Sequence, residues 1–223
     1  MRIEQLLLQV TDVAATARYF QDTLQLGVTA ADVRVGTTRI SLRESPRQVS
    51  GAVHLAFNVP DNRFPAAVTW LREHTPLQCS PEGRDYFALE SSWQSQSVYF
   101  TGPDGLILEL IGRRRLPDSA QQGPFHGSEL TCVSEVGLPV SDVPSTQRAL
   151  TQAFGLRPLS DPSDAFAPMG DDDGLLIVVN AQRRWFPEQK DLPGAHGIEV
   201  LIDGGYPGAV VQDPVHGWSV RSR

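Results

Sequence analysis

The sequence has little of three things, and each shortage narrows what the chain can be. It holds two cysteines in 223 residues, Cys79 and Cys132, too few and too far apart for a disulfide framework or a thiolate metal cluster. It has no apolar run near the roughly 20 residues that a membrane-spanning helix requires. It has no surplus of positive charge. Lys and Arg number 19 against 26 Asp and Glu, for a net charge of −7, which argues against nucleic acid and anionic membrane surfaces as partners. The start, Met1-Arg2-Ile3-Glu4-Gln5, runs straight into a strand pattern, so no leader is expected and the expected compartment is the cytoplasm.

What is present is a core and a repeat. Hydrophobic residues make up 40% of the chain, enough for one large domain or two ordinary ones. The organising stretch is Val53 to Asp61. Val53, Leu55, Phe57 and Val59 point to one face of a strand, and His54, Ala56 and Asn58 to the other, because successive side chains alternate. Asp61 follows, at the mouth of a predicted helix over 62–73. The same design recurs four times. Gln5 precedes Asp12, His54 precedes Asp61, Glu135 precedes Asp142 and His196 precedes Asp203, each by seven residues. A polar strand residue at fixed spacing from a terminal Asp, repeated along the chain, marks internal repeats.

Read in order, each of the first three repeats opens with a strand and a helix and continues with strands. Residues 3–10 read as a strand, Asp12 as a helix cap, and Val13, Ala17, Phe20 and Leu24 as one helical face. Strands are predicted over 28–35 and 38–43, then 85–89, 97–101 and 106–111, with Gly102-Pro103-Asp104-Gly105 as a strong turn. Glu109 interrupts an otherwise apolar strand. The expected division is 1–115 as a first domain of two units, 116–130 as a polar linker and 131–223 as a second, degenerate domain. After the strand ending at Ile202, only Gly204-Gly205-Tyr206-Pro207-Gly208 precedes the next strand, so the last unit is truncated and has lost its helix.

If the first two units pair, Gln5, His54 and Glu109 all lie on strand faces turned away from the helices. Strands with helices on one side only make a cup. Three separate strands would deliver an amide oxygen, an imidazole and a carboxylate to its floor, a competent set for a divalent cation with open positions. Taken singly, neither His54 nor Glu109 is diagnostic; their shared phase with Gln5 is what points to a metal. Tyr99 falls on Glu109's face across the predicted hairpin and could serve as hydrogen-bond donor or general acid. Gln9 and Asn58 line the same face and are the expected substrate contacts. Arg113, Arg114 and Arg115 read as a solvated start to the linker, and Asp171 to Asp173 as a hairpin loop.

The pattern from His54 to Asp61, its helix, and Tyr-Phe-Thr-Gly-Pro-Asp-Gly-Leu-Ile-Leu-Glu-Leu over 99–110 together resemble the vicinal oxygen chelate superfamily. That group includes glyoxalase I, extradiol dioxygenases, fosfomycin-resistance enzymes and bleomycin-resistance proteins. The resemblance implies an α+β fold of repeated β-α-β-β-β units forming cupped mixed sheets. It implies His54 and Glu109 as metal ligands, with Gln5 as the first-strand ligand, and Glu109 and Tyr99 as catalytic groups. Ser41, at the remaining position, is not a usual ligand, which leaves a three-ligand site.

In the second half Glu135 and His196 match first-strand positions, but Arg221 stands where a last-strand ligand would be, and a guanidinium cannot ligate a metal. That half is therefore expected to be structural or a metal-free cup. The implied cofactor is one divalent ion (Zn, Ni, Mn or Fe(II)), and the implied activity is that of a lyase, isomerase or dioxygenase acting on vicinal oxygens of a small substrate. The resemblance also allows a homodimer. The alternatives are a metal-free sequestering protein of the bleomycin-resistance type, or a relic whose cup serves dimerisation.

Overall fold

The computed structural model describes residues 1–45, 51–195 and 197–223. The repeat is visible at once. The first unit is β1 (Ile3–Val10), helix α1 (Val13–Arg18) running on into a π-type turn over 19–23, then β2 (Gly27–Thr29), β3 (Asp32–Val35) and β4 (Thr38–Glu44). The second is β5 (His54–Val59), α2 (Phe64–His74), β6 (Phe87–Leu89), β7 (Ser95–Thr101) and β8 (Ile107–Arg113). The third is β9 (Cys132–Val140), α3 (Val143–Phe154), β10 (Phe166–Asp171) and β11 (Gly174–Asn180). The fourth is β12 (Ile198–Ile202), β13 (Val210–Asp213) and β14 (Trp218–Ser222), with no helix. His196 and residues 46–50 lie outside the described residues.

Local chemistry explains most boundaries. The Asp12 carboxylate accepts from the Ala15 N–H at 2.8 Å and Asp142 from the Ser145 N–H at 2.9 Å, so both cap their helices. Asp61 does not. A short 3₁₀ turn over 61–63 intervenes before α2, and the Asp61 carboxylate accepts instead from Gln96 Nε2 at 2.6 Å. Gly155, at φ 69°, ends α3 in the left-handed conformation that glycine adopts freely.

Two seven-stranded mixed sheets result, ordered β13-β14-β12-β1-β4-β3-β2 and β10-β11-β9-β5-β8-β7-β6. In each, a first strand runs parallel to its own last strand and antiparallel to the first strand of another unit: β1 with β12, and β5 with β9. The first unit therefore shares a sheet with the fourth, and the second with the third. This overturns the expected pairing of the first two units. Both sheets take strands from either side of 116–130, so Gln5 is not in the sheet that carries His54 and Glu109. β5 leaves one hydrogen-bonding edge free after β8 takes the other, and β9, not β1, occupies it.

The apolar strand faces and the helices form one continuous core from Ile3 to Val220. The sheets are also stitched directly. Thr38 Oγ1 donates to the Ile3 carbonyl at 2.7 Å and accepts from the Val133 N–H at 3.1 Å. Gly36, at φ 50°, lies so close to Thr131 that a Cβ there would sit 2.0 Å from its carbonyl oxygen, so this junction admits only glycine. Both cysteines are free. No described helix is long and apolar enough to cross a membrane.

Candidate metal centre

The open face of the second sheet is a cup. Register sets its floor: Ala56 of β5 lies opposite both Glu109 of β8 and Glu135 of β9, and His54 lies two residues away on the same face. The three side chains converge. His54 Nε2 is 3.5 Å from Glu109 Oε2 and 3.5 Å from Glu135 Oε2. One donor atom from each residue lies within 4.8 Å of the others. All three are buried, at 5%, 3% and 3% exposed.

The rest of the cup fixes these groups. His54 Nδ1 faces the Ile107 carbonyl at 3.2 Å. That contact assigns a proton to Nδ1; Nε2 then donates to the carboxylates when it is protonated, or offers its lone pair to a metal. Trp185 stacks beside the imidazole at 5.1 Å between centroids and anchors its indole N–H on the Ala52 carbonyl at 2.8 Å. Gly137 makes room for it; a Cβ there would be 2.7 Å from the indole ring and 3.2 Å from His54 Cβ. Tyr99 stands opposite Glu109 in the β7–β8 register and offers its hydroxyl to that carboxylate.

Arg113 is the largest fully buried side chain. Its Nη2 donates to Glu135 Oε1 and its Nε to Asn58 Oδ1 at 3.3 Å. Its Nη1 is 3.7 Å from Asp172 and makes no hydrogen bond. The expectation of a solvated Arg113 is thus corrected: the residue continues β8 into the floor, where Glu135 needs a counter-charge. Arg115 pairs with Asp172 at 2.6 and 2.8 Å, tying the hairpin loop over this end of the cup.

The electrostatics are those of a site short of positive charge. Burial and the charge of Glu135 push Glu109 up to about 8, against the opposing pull of His54, Tyr99 and Arg113. For His54, burial opposes protonation, but the Glu135 hydrogen bond and the charges of Glu109 and Glu135 outweigh it and raise the pKa. Burial, then Glu109 and Glu135, raise the Tyr99 phenol well above its usual value. Two buried carboxylates and one guanidinium leave the floor with an unmatched negative charge, which a proton or a cation must meet. One imidazole and two carboxylates fit a divalent ion with open positions.

The fourth corner is apolar. Glu109 lies two residues beyond Ile107, the partner of His54. The equivalent step beyond Leu175, the partner of Glu135, is Ile177, so the third unit supplies one donor where the second supplies two. Above the floor opens a cavity of about 470 Å³, walled by Phe87, Trp93, Phe166, Trp185 and Phe186 and rimmed by Arg84 and Arg183.

Of the residues singled out in the sequence, the structure brings His54, Glu109 and Tyr99 together. Gln5 it places on β1 in the other sheet, between Arg39 and Leu201. Gln9 is also on β1, its amide against Gly197, and cannot meet a ligand in this cup. Asn58 is on the cup face but spent, donating to the Asp172 carbonyl at 2.9 Å and accepting from Arg113; it does not line the cavity. Glu135 takes the place expected for Gln5. Its signal was legible, since it shares the seven-residue spacing of His54.

No protein-family model matches the chain. Metallothiol transferase FosB of Staphylococcus epidermidis is 27% identical over 118 residues, covering 48% of this chain and 79% of the relative. Among solved structures, a candidate dioxygenase of Bacillus subtilis superposes with a TM-score of 0.64 at 13% identity, covering 100% of this chain and 85% of the other. Glyoxalase I of Zea mays superposes at 0.57 and 15% identity, covering 99% and 91%. At such identities the superpositions establish the fold: cupped mixed sheets built from repeated β-α-β-β-β units. The chain therefore shares its fold with these two structures, and about half of it is similar in sequence to FosB.

Proposed function

We propose that the chain is a metal-dependent enzyme of the lyase or isomerase type, acting on adjacent oxygens of a small substrate. The observation that carries this reading is the convergence of His54, Glu109 and Glu135 at the floor of a shielded cavity. These three residues would hold one divalent ion, which when bound supplies Lewis-acid polarisation of two neighbouring substrate oxygens. The match to a protein named a metallothiol transferase supports a metal-dependent role.

The chain's own groups do the rest. Arg113 fixes one oxygen of Glu135 and leaves the other turned to His54. The Ile107 carbonyl orients the imidazole. Without the ion, burial and Glu135 raise Glu109 to about 8, so a proton and the cation compete for this carboxylate, and the Tyr99 hydroxyl favours its ionised form. The aromatic walls exclude water. An oxygen-rich donor set with a single imidazole differs from the two-histidine, one-carboxylate set of iron oxygenases, which favours proton transfer over oxygen activation.

Metal analysis and calorimetric titration with Mn²⁺ test the reading. One equivalent per chain is expected, lost in His54→Ala and in Glu135→Ala and retained in Gln5→Ala. Absence of stoichiometric binding, or equal loss in Gln5→Ala, would overturn it.

A further inference from the structure

The cavity above the floor is divided by charge. Among the described residues, its acidic lining is Glu109 and Glu135, beside His54 at the base, and its arginines are Arg84 and Arg183 at the mouth. In a chain of net charge −7, two arginines lining a cavity with no close carboxylate partner inside it need a reason. Arg84 has only a loose ion pair, 3.9 Å to Glu82, with both side chains largely exposed, the kind that contributes little. The Arg183 side chain has none: among the described residues its guanidinium makes no ion pair or hydrogen bond, while its backbone N–H donates to the Asn180 carbonyl. Its guanidinium lies 4.8 Å over the Phe166 ring and is desolvated enough there to lower its pKa, with no acidic group contributing. A cation–π contact holds it in place while leaving its donors free.

The space between base and mouth is aromatic. Phe87, Tyr99 and Phe186 meet edge to face at 4.5 to 5.8 Å, and Trp93 approaches Phe166 at 6.4 Å. Phe186 remains 37% exposed and its neighbour at the mouth, Leu89, 47%. Large apolar side chains left open around a cavity mark a ligand surface.

Building on the metal-centre reading, we infer that this cavity takes a planar aromatic substrate with an anionic group at the end remote from the metal, bound by Arg183 with Arg84 beside it. With the substrate's adjacent oxygens at the floor, its anionic group lies at the end of the cavity where the arginines stand. Carboxylate, sulfonate and phosphate share the chemistry that a guanidinium recognises.

The probes are 2-naphthoate and its neutral isostere 2-naphthamide, titrated against the full chain in EDTA by quenching of tryptophan fluorescence. Wild type is expected to bind the naphthoate about tenfold more tightly than the amide, the scale of one charge-assisted hydrogen bond. Arg183→Ala removes that preference and leaves the amide's affinity unchanged, and Arg183→Glu inverts it. Arg183 is exposed, so both variants should melt with wild type, which calorimetry checks. Equal binding of the two probes by wild type, a preference that survives Arg183→Ala, or a loss shared by both probes would overturn the inference. Because these titrations are metal-free, they report separately from the Mn²⁺ experiment, and either idea can fail alone.

Discussion

Replacing Arg113 by Met tests the electrostatics of the floor most directly. Methionine keeps the length of the stem and removes the guanidinium, leaving the Glu135 carboxylate buried at 3% exposure without the donor at its Oε1. Removing one partner of a buried ion pair costs about 3–5 kcal/mol, because the other charge remains desolvated. For a chain of this size that corresponds to a fall in Tm of roughly 6–20 °C. In EDTA, thermal unfolding of Arg113→Met should show this fall. Arg113→Met with Glu135→Gln should recover more than half of it, since the amide needs no counter-charge. Mn²⁺ at a hundredfold excess over Kd stabilises a single-site protein by about 2.7 kcal/mol. At one fixed Mn²⁺ concentration the rise in Tm should be larger for Arg113→Met than for wild type, because the ion replaces the missing positive charge. The reasoning fails if Arg113→Met melts with wild type in EDTA, or if the double variant melts as low as the single one.

Three further outcomes are expected. Glu109, raised from 4.5 to about 8, binds its proton more tightly when folded, so its contribution to stability is complete below about pH 4.5 and is lost as pH rises through 8; the metal-free Tm should fall across that window, and Glu109→Gln should flatten the curve. Ile177→Glu, which restores a donor to the apolar corner, should lower the metal-free Tm and raise Mn²⁺ affinity, both measurable in one calorimetric series. Asp142→Ala should cost about 1 kcal/mol through the lost helix cap, read by urea denaturation, whereas Asp61→Ala removes no cap and should instead loosen Gln96, visible in amide exchange along β7.

The repeat, the strands and the helix caps at Asp12 and Asp142 were legible because they rest on local rules: alternation along a strand and a side-chain oxygen at a helix start. The resemblance rested on the pattern from His54 to Asp61 and on the stretch over 99–110. Asp61 misled because its sequence position is that of a cap, while its partner, Gln96, lies 35 residues away. Arg113 misled because a run of three arginines reads as solvent-facing. Only the third dimension shows that the first of them continues a strand into the floor while the next two turn outward to Glu90 and Asp172.

By itself, then, the sequence determined four first strands with one polar face each, and the residue types available to a metal: His54, Glu109, Gln5, Glu135. It did not determine which first strands meet. Backbone hydrogen bonds along a free strand edge carry no label, and the strands of Gln5, His54 and Glu135 present the same alternation, so β5 could in principle pair with β1 or with β9. Side chains remote from the cup close one arrangement, through Thr38 bridging Ile3 to Val133 and the glycine contact of Gly36 with Thr131. That choice set Glu135 rather than Gln5 beside His54, and so decided the donor set.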